Sequence, residues 1–117
     1  MDIHAIIFNF PKAPDADERI VMCTLRRRGY RLAANFASGA CDVFFGSSGM
    51  SKREEYLEIA CKLGVPYDEC AVVEGACDDL NEAKNAGMTA IGVGDAVNCI
   101  YADTGISNIA DLLNIFV

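Results

Sequence analysis

Residues 70–93 read CAVVEGACDDLNEAKNAGMTAIGV and contain two short apolar runs separated by a helical pattern. The runs Cys70–Glu74 and Thr89–Val93 have the length of buried strands and contain β-branched residues. Between them, apolar and small residues recur at the spacing of one helix face: Ala76, Leu80, Ala83 and Gly87. A strand, a helix and a second strand in this order predict two parallel strands with a helix packed against them.

The same alternation extends toward both ends of the chain. Three further apolar runs are predicted to be strands: Ile3–Phe8, Leu32–Asn35 and Asp42–Gly46. Helical patterns occur at Ile20–Leu25, Tyr56–Leu63 and Ile109–Phe116, and Ser51 and Glu54 predict a capping box before the second of these. We therefore expect an α/β fold, a three-layer Rossmann-like parallel sheet of about five strands with helices on both faces.

Composition and charge narrow the possible functions. The 117 residues are expected to form a single domain, 1–117, with one hydrophobic core. A net charge of −7 argues against nucleic acid and anionic membrane surfaces as partners. No apolar run approaches the ~20 residues that cross a bilayer, and the start of the chain has no signal-peptide pattern. We therefore expect a cytoplasmic protein.

Six cysteines are scattered along the chain without a Cys-x-x-Cys pair: Cys23, Cys41, Cys61, Cys70, Cys77 and Cys99. Cys23, Cys61 and Cys70 fall in apolar stretches, where a reduced cysteine behaves as a small hydrophobic residue. We therefore expect structural thiols. Cys77 is the exception, because it lies at the predicted start of a helix, where the dipole lowers a thiol pKa. A thiol-dependent function at Cys77 is one hypothesis.

Parallel sheets of this kind bind ligands at the carboxyl ends of their strands. The residues that follow the predicted strands are therefore the candidate site: Asn9–Lys12, Asn35–Ser38, Gly46–Met50, Glu74–Asp79 and Gly94–Asp95. No Gly-x-Gly-x-x-Gly follows the first strand and no Walker loop occurs, which excludes the usual dinucleotide and nucleoside-triphosphate sites.

A family resemblance follows from an ordered series of segments. Leu63–Pro66, Glu69–Glu74 and Glu82–Met88 resemble the second half of haloacid dehalogenase-like hydrolases. The continuation Ile91–Asp95, with Ile109–Leu113 after it, is similar to the β-phosphoglucomutase-like branch of that family. The resemblance is close over residues 43–113 and weaker over residues 2–38. It implies a haloacid dehalogenase-like core fold.

The resemblance also implies a mechanism. Family members transfer phosphoryl groups through an aspartyl phosphate on a D-x-D-x-T/V loop, with Mg²⁺ and a lysine neutralising charge. In this chain Asn9 stands at the nucleophile position and Pro11 at the acid/base position. A neutral amide is a poor nucleophile toward a phosphate ester, and proline has no titratable group. We therefore expect no catalysis of the family type and no cofactor, with Mg²⁺ bound only where some activity remains.

Further motif positions are altered in the same way. The hydroxyl residue of the second motif falls near Asn35 or Phe36, of which only Asn35 is able to bond a phosphate oxygen. Met50 stands where the family has a lysine, and Lys52 replaces that charge only if the loop is rearranged. In the fourth motif an expected Glu-Asp pair is Glu74-Gly75. The degenerate catalytic positions are thus Asn9, Pro11, Asn35 and Met50.

Two groups of residues resemble remnants of a site, and each has a simpler interpretation. Glu74 and Asp79 are candidate metal ligands, but capping of the helix by Asp78 and Asp79 with a solvated Glu74 is the preferred explanation. The candidate phosphate-binding residues are Ser47, Ser48 and Lys52, in a loop before a helix start. An ordinary strand-to-helix loop with these residues needs no ligand, and this is the preferred explanation.

A second departure from the family predicts that this chain lacks a cap domain. In the β-phosphoglucomutase-like branch a helical cap follows the first motif, whereas here only residues 13–17 lead into the first helix. We therefore predict a non-catalytic binding or regulatory module, with a protein partner or a second copy bound at the uncapped strand-end face. The alternative is a divergent Mg²⁺-dependent phosphatase or phosphotransferase that uses Glu74, Asp79 and either Asp15 or Asp17 in relocated roles.

Overall fold

The computed structural model describes residues 2–46 and 48–117, which form a parallel sheet between two layers of helices. The strands are β1 (Ala5–Asn9), β2 (Arg31–Ala34), β3 (Val43–Phe44), β4 (Cys70–Glu74), β5 (Thr89–Val93) and β6 (Thr104–Ile106). The helices are α1 (Ala16–Arg27), α2 (Lys52–Leu63), α3 (Cys77–Asn85) and α4 (Leu112–Ile115), with 3-10 turns at Tyr67–Glu69, Gly94–Ala96 and Ile109–Asp111. The predicted three-layer α/β fold is confirmed.

The order of the strands creates the candidate site. The sheet runs β3-β2-β1-β4-β5-β6, and all neighbouring strands are parallel. The chain builds outward from β1 to β3 and then continues with β4 on the other side of β1. Such a reversal leaves a crevice at the carboxyl ends of the two strands. Asn9 and Glu74, the last residues of β1 and β4, are register partners at this crevice.

The central strand β1 explains why helices cover both faces. Ile6 and Phe8 belong to the hydrophobic cluster that contains residues of α1 and α4, whereas Ile7 packs in the cluster that contains α2 and the end of α3. A central parallel strand is buried on both faces and therefore needs both layers. The longest helices, α1 and α2, have 12 residues each, and none in the described ranges is long and apolar enough to span a membrane.

The edges of the sheet differ most from the prediction. β3 contains only Val43–Phe44 of the predicted run Asp42–Gly46. β6 is a sixth strand that the sequence analysis missed, because Thr104–Ile106 contains one large apolar side chain. A three-residue edge strand is too short to show an alternating pattern.

A disulfide joins Cys77, the first residue of α3, to Cys99 between β5 and β6. The expectation of structural thiols is therefore wrong for Cys99, and Cys77, for which a thiol-dependent function was the hypothesis, is disulfide-bonded in this structure. The two residues are 22 positions apart, and spacing alone does not identify which cysteines pair. Cys70 fits the expectation, since it is buried and its pKa is raised to about 11, chiefly by burial. Cys61 is exposed rather than packed.

Candidate functional site

The crevice at the carboxyl ends of β1, β4 and β5 has a volume of about 450 Å³. Val73, Val93 and Ile109 contribute apolar surface to it, and the acidic residues Glu18 and Asp95 also line it. None of its lining residues, all of which lie in the described part of the chain, is Lys or Arg. The crevice therefore presents no cationic side chain to a phosphate group.

Glu74 is the buried acid of this crevice, and the chain itself engages both oxygens of its carboxylate. Oε1 accepts hydrogen bonds from the backbone N–H groups of Gly75 and Ala76 at 2.9 and 3.0 Å. Oε2 accepts a hydrogen bond from the Nδ2 group of Asn9. Glu74 is only 6% exposed, and this burial raises its pKa although the bond from Asn9 opposes the rise. The prediction of a solvated Glu74 is wrong.

Asp79, the second candidate metal ligand, lies in the first turn of α3. Its negative charge adds to the rise of the Glu74 pKa, and its own pKa is raised chiefly by burial while the charge of Lys52 opposes this. Ala76 is the N-cap residue of α3 and makes no side-chain capping hydrogen bond, whereas Asp78 and Asp79 both lie in the first turn, as predicted. Within residues 2–46 and 48–117, no group of three or more His, Cys, Asp or Glu is arranged to hold a metal ion.

Asn35 fastens the loop after β1. Its Oδ1 accepts a hydrogen bond from the Phe10 N–H at 2.8 Å, and its Nδ2 donates to the Phe10 carbonyl at 2.7 Å. Both polar ends of the amide are therefore engaged with the Phe10 backbone, which uses one of the two N–H donors of Nδ2. The Phe10 ring stacks on Phe8 with centroids 5.3 Å apart, which fixes the backbone leading to the exposed Pro11 of the crevice.

Ser48 and Lys52, two of the candidate phosphate ligands, both bind Glu55. Ser48 donates from its N–H and Oγ to Glu55 Oε2 at 3.1 and 3.0 Å, and Lys52 Nζ lies 3.4 Å from Oε1. Although burial raises the pKa of Glu55, the hydrogen bonds from Ser48 and the charge of Lys52 bring it below its usual value. The third candidate, Ser47, lies outside the described residues, and Met50 is half-buried in the same loop. The negative charge that this loop binds is therefore the carboxylate of Glu55, which α2 itself supplies.

Glu55 and the hydroxyl of Tyr56 were not among the predicted site residues. Glu55 lies four residues before Ile59 and eight before Leu63, so helical spacing already placed an acid on the buried face of α2. Tyr56 is fully buried, and its hydroxyl has no hydrogen-bond partner in the described part of the chain. Burial raises the Tyr56 pKa above its usual value, the charge of Glu74 adds to this, and the nearby Asn9 side chain opposes it.

The carboxylates proposed for relocated roles are positioned differently from one another. Asp15 is the N-cap of α1, where it accepts a hydrogen bond from the Glu18 N–H at 2.8 Å. The Glu18 carboxylate in turn accepts from the Asp15 N–H at 2.9 Å, which completes a capping box. Asp17 is exposed in the first turn of α1. Asp15 therefore has a structural role already, whereas Asp17 is solvated.

The strand order and the position of the crevice define a Rossmann-like α/β protein with its candidate site where the strand order reverses. No protein-family profile matches the sequence, and no curated protein is significantly similar to it. Solved structures are similar. A haloacid dehalogenase-like hydrolase from Streptococcus pneumoniae matches with a TM-score of 0.76 at 12% identity, over 98% of this chain and 99% of that chain.

Two further solved structures carry named activities. The cobalt-bound deoxy-D-mannose-octulosonate 8-phosphate phosphatase from Haemophilus influenzae matches with a TM-score of 0.72 at 16% identity, over 96% of this chain and 87% of that chain. β-Phosphoglucomutase from Clostridium difficile matches with a TM-score of 0.69 at 17% identity, over 80% of this chain. The match spans only 50% of the mutase chain. The chain therefore has the haloacid dehalogenase-like fold, as the resemblance predicted.

Proposed function

We propose that the chain is a non-catalytic haloacid dehalogenase-like domain that uses its strand-end crevice for binding or regulation. The hydrogen bond from Asn9 to Glu74 carries this proposal. In the aspartyl-phosphate mechanism a carboxylate at the Asn9 position attacks phosphorus, and Mg²⁺ neutralises the charge of the neighbouring acids. Here an amide N–H lies beside Glu74 and compensates its charge without a cation.

The other altered positions support the same proposal. Pro11 supplies no proton, and Asn35 is held by the Phe10 backbone at both ends of its amide. Ser48 and Lys52 are bound to the carboxylate of Glu55. A phosphate group would have to displace these internal contacts before it could be bound, and each lost hydrogen bond to a charged group costs about 1.5–3 kcal/mol.

The alternative is a divergent Mg²⁺-dependent phosphatase or phosphotransferase with relocated carboxylates. The charge of Asp79 raises the pKa of Glu74, which favours this alternative because two neighbouring acids attract a divalent cation. However, both oxygens of Glu74 accept hydrogen bonds from the chain, and Asp15 caps α1. The non-catalytic proposal therefore accounts for more of the observed contacts.

We further propose that the strand-end face is uncapped and is the binding surface. Only residues 10–15 separate β1 from α1, which is too short for a cap domain at that position. A protein partner or a second copy of this chain would then cover the crevice. Sedimentation velocity tests self-association: a dimer that Asp95→Lys weakens and Asp68→Lys does not would place the contact at the crevice. A dimer equally weakened by both would contradict this.

A phosphatase assay tests the loss of catalysis. With an aryl phosphate and Mg²⁺ we expect no turnover above the buffer blank, and Glu74→Gln with Asp79→Asn should behave identically. Beryllofluoride, which mimics an aspartyl phosphate, should not bind because Asn9 offers no carboxylate. Turnover by the wild type that is lost in the double variant would establish the alternative.

A further inference from the structure

The Cys77–Cys99 disulfide connects two of the loops that border the crevice. Gly75 and Ala76, which line the crevice after β4, immediately precede Cys77. Gly94 and Asp95, which line it after β5, begin the segment that contains Cys99. One covalent bond therefore fixes the loop after β4 relative to the loop after β5.

Besides the disulfide, local backbone hydrogen bonds hold the region around Cys99: its N–H donates to the Ala96 carbonyl at 3.1 Å, and the Ala102 N–H donates to the Cys99 carbonyl at 3.0 Å. No side-chain hydrogen bond caps the first turn of α3. The buried apolar residues beside the disulfide form a small cluster of Leu80, Ala90 and Ala96, against which Cys99 packs. The two larger clusters of the described chain contain the side chains of β1, α1 and α2 and neither Cys77 nor Cys99. Breaking the disulfide should therefore loosen its surroundings and leave the main cores intact.

The ends of the segment between β5 and β6 are anchored independently of the disulfide. A Cβ on Gly92 would overlap the carbonyl oxygen of Ala96, so the start of the segment lies directly on β5. At the other end, Asp103 accepts hydrogen bonds from the Ala90 N–H at 2.8 Å and from Lys84 Nζ at 2.9 Å. Val97 and Ala102 are anchored as well, because a Cβ on Gly105 would overlap the Val97 carbonyl oxygen and a Cβ on Gly92 would lie 3.3 Å from the Ala102 Cβ. The part that depends on the disulfide is thus residues 98–101, together with the first turn of α3.

We propose that Cys77 and Cys99 form a reversible redox modification site whose state sets the shape of the crevice. Both residues are partly exposed, so a dithiol reductant has access to the bond. A reductant thiolate attacks one sulfur and breaks the S–S bond, and its second thiolate then releases that sulfur from the mixed disulfide. The reductant leaves as a cyclic disulfide, and Cys77 and Cys99 take up two protons as thiols.

The consequence of this switch for binding rests on the proposed function, whereas the change in the loops does not. In the reducing cytoplasm expected from the sequence, the dithiol would be the resting state. Thiol–disulfide exchange with a disulfide oxidant would form the bond, and the oxidant would leave as two thiols that carry the two electrons and two protons. Formation of the disulfide then orders the first turn of α3, including Asp79, and ties it to the segment that follows the crevice residues Gly94 and Asp95.

Backbone ¹⁵N relaxation of the ligand-free protein, before and after treatment with dithiothreitol, tests the proposal. On reduction, order parameters in residues 98–101 and 77–79 should fall from about 0.85 to below about 0.6, while β1 and β2 stay unchanged. The amide shifts of the crevice residues Gly75 and Gly94 should move, and reoxidation should restore them. Cys77→Ser and Cys99→Ser should match the reduced wild type without reductant.

The control is Cys61→Ser, which removes an exposed free thiol of α2 and should respond to dithiothreitol like the wild type. Unchanged order parameters in both segments would overturn the proposal. So would unmoved Gly75 and Gly94 shifts, a collapse of the whole spectrum on reduction, or alkylation of all six cysteines in the air-oxidised protein. Because no ligand is used, phosphatase activity would overturn the proposed function and leave this result standing.

Discussion

Asn9 and Glu74 end neighbouring parallel strands in register, and the Asn9 amide donates a hydrogen bond to the Glu74 carboxylate. Glu74 is buried, so its charge is costly unless donors surround it. The amide of Asn9 and two backbone N–H groups supply those donors. A carboxylate at position 9 would instead oppose Glu74 and require a proton or a cation between them.

Asn9→Asp tests this compensation directly. At pH 7 with a chelator, we expect the free energy of unfolding to fall by about 2–4 kcal/mol, because two carboxylates then face each other at the buried Glu74 without the amide donor of Asn9. Millimolar Mg²⁺ should restore part of the loss, since it binds only the folded state. Urea unfolding measures both effects.

Asn98→Asp is the matched control, because Asn98 is exposed. Its free energy of unfolding should change by no more than about 0.5 kcal/mol and should not respond to Mg²⁺. Equal losses in the two variants, or a loss at Asn9 that Mg²⁺ leaves untouched, would show that the Asn9–Glu74 bond does not replace a cation.

Glu55→Gln tests whether the negative charge of the Glu55 carboxylate stabilises the fold. We expect a loss of about 1–3 kcal/mol at pH 7, because the charge bound by Ser48 and Lys52 is removed. The pKa of Glu55 is lower in the folded state than its ordinary value of 4.5. Its stabilisation is therefore present above pH 4.5 and is lost as the pH falls through the folded pKa. Urea unfolding at a series of pH values should show wild type and variant converging in acid.

The control for this prediction is Glu58→Gln, which removes an exposed ion pair with Lys62 at 3.0 Å. We expect a loss below about 1 kcal/mol there. A difference between wild type and Glu55→Gln that stays constant across the pH series would mean that the lost stability comes from packing rather than from the charge.

Tyr56→Phe should leave stability unchanged or raise it by about 1 kcal/mol. The Tyr56 hydroxyl is buried without a hydrogen-bond partner among the described residues, and removing such a group relieves its desolvation cost. Thermal and urea unfolding measure the change. Tyr67→Phe is the control, because Tyr67 is 52% exposed and its hydroxyl is free to contact water. A loss above about 1 kcal/mol at Tyr56 would reveal a bound water or another partner.

Buried strands could be predicted from the sequence, whereas the contacts of the site could not. β4 and β5 match their predicted bounds residue for residue, because strands buried on both faces read as continuous apolar runs. The edge strand β6 has no such run. The absence of carboxylates at positions 9 and 11 could be predicted, because the end of β1 fixes where these motif positions lie. The bonds from Asn35 to Phe10 depend on distances between residues 25 positions apart, which no spacing rule supplies.

Gly92→Ala tests the close packing of the segment that carries Cys99. A Cβ at Gly92 would overlap the carbonyl oxygen of Ala96, and a backbone atom there is unable to move without lifting the segment from β5. We expect a loss of about 2 kcal/mol or more in urea unfolding, together with altered amide shifts at Gly94 and Asp95. Gly39→Ala is the control, because no described atom lies within 4 Å of an added Cβ and its φ is not positive. That change should cost nothing or stabilise slightly, by about 0.4–1 kcal/mol. If Gly92→Ala were equally mild, the segment would not lie on β5, and the disulfide would lack the fixed support on which its control of the crevice depends.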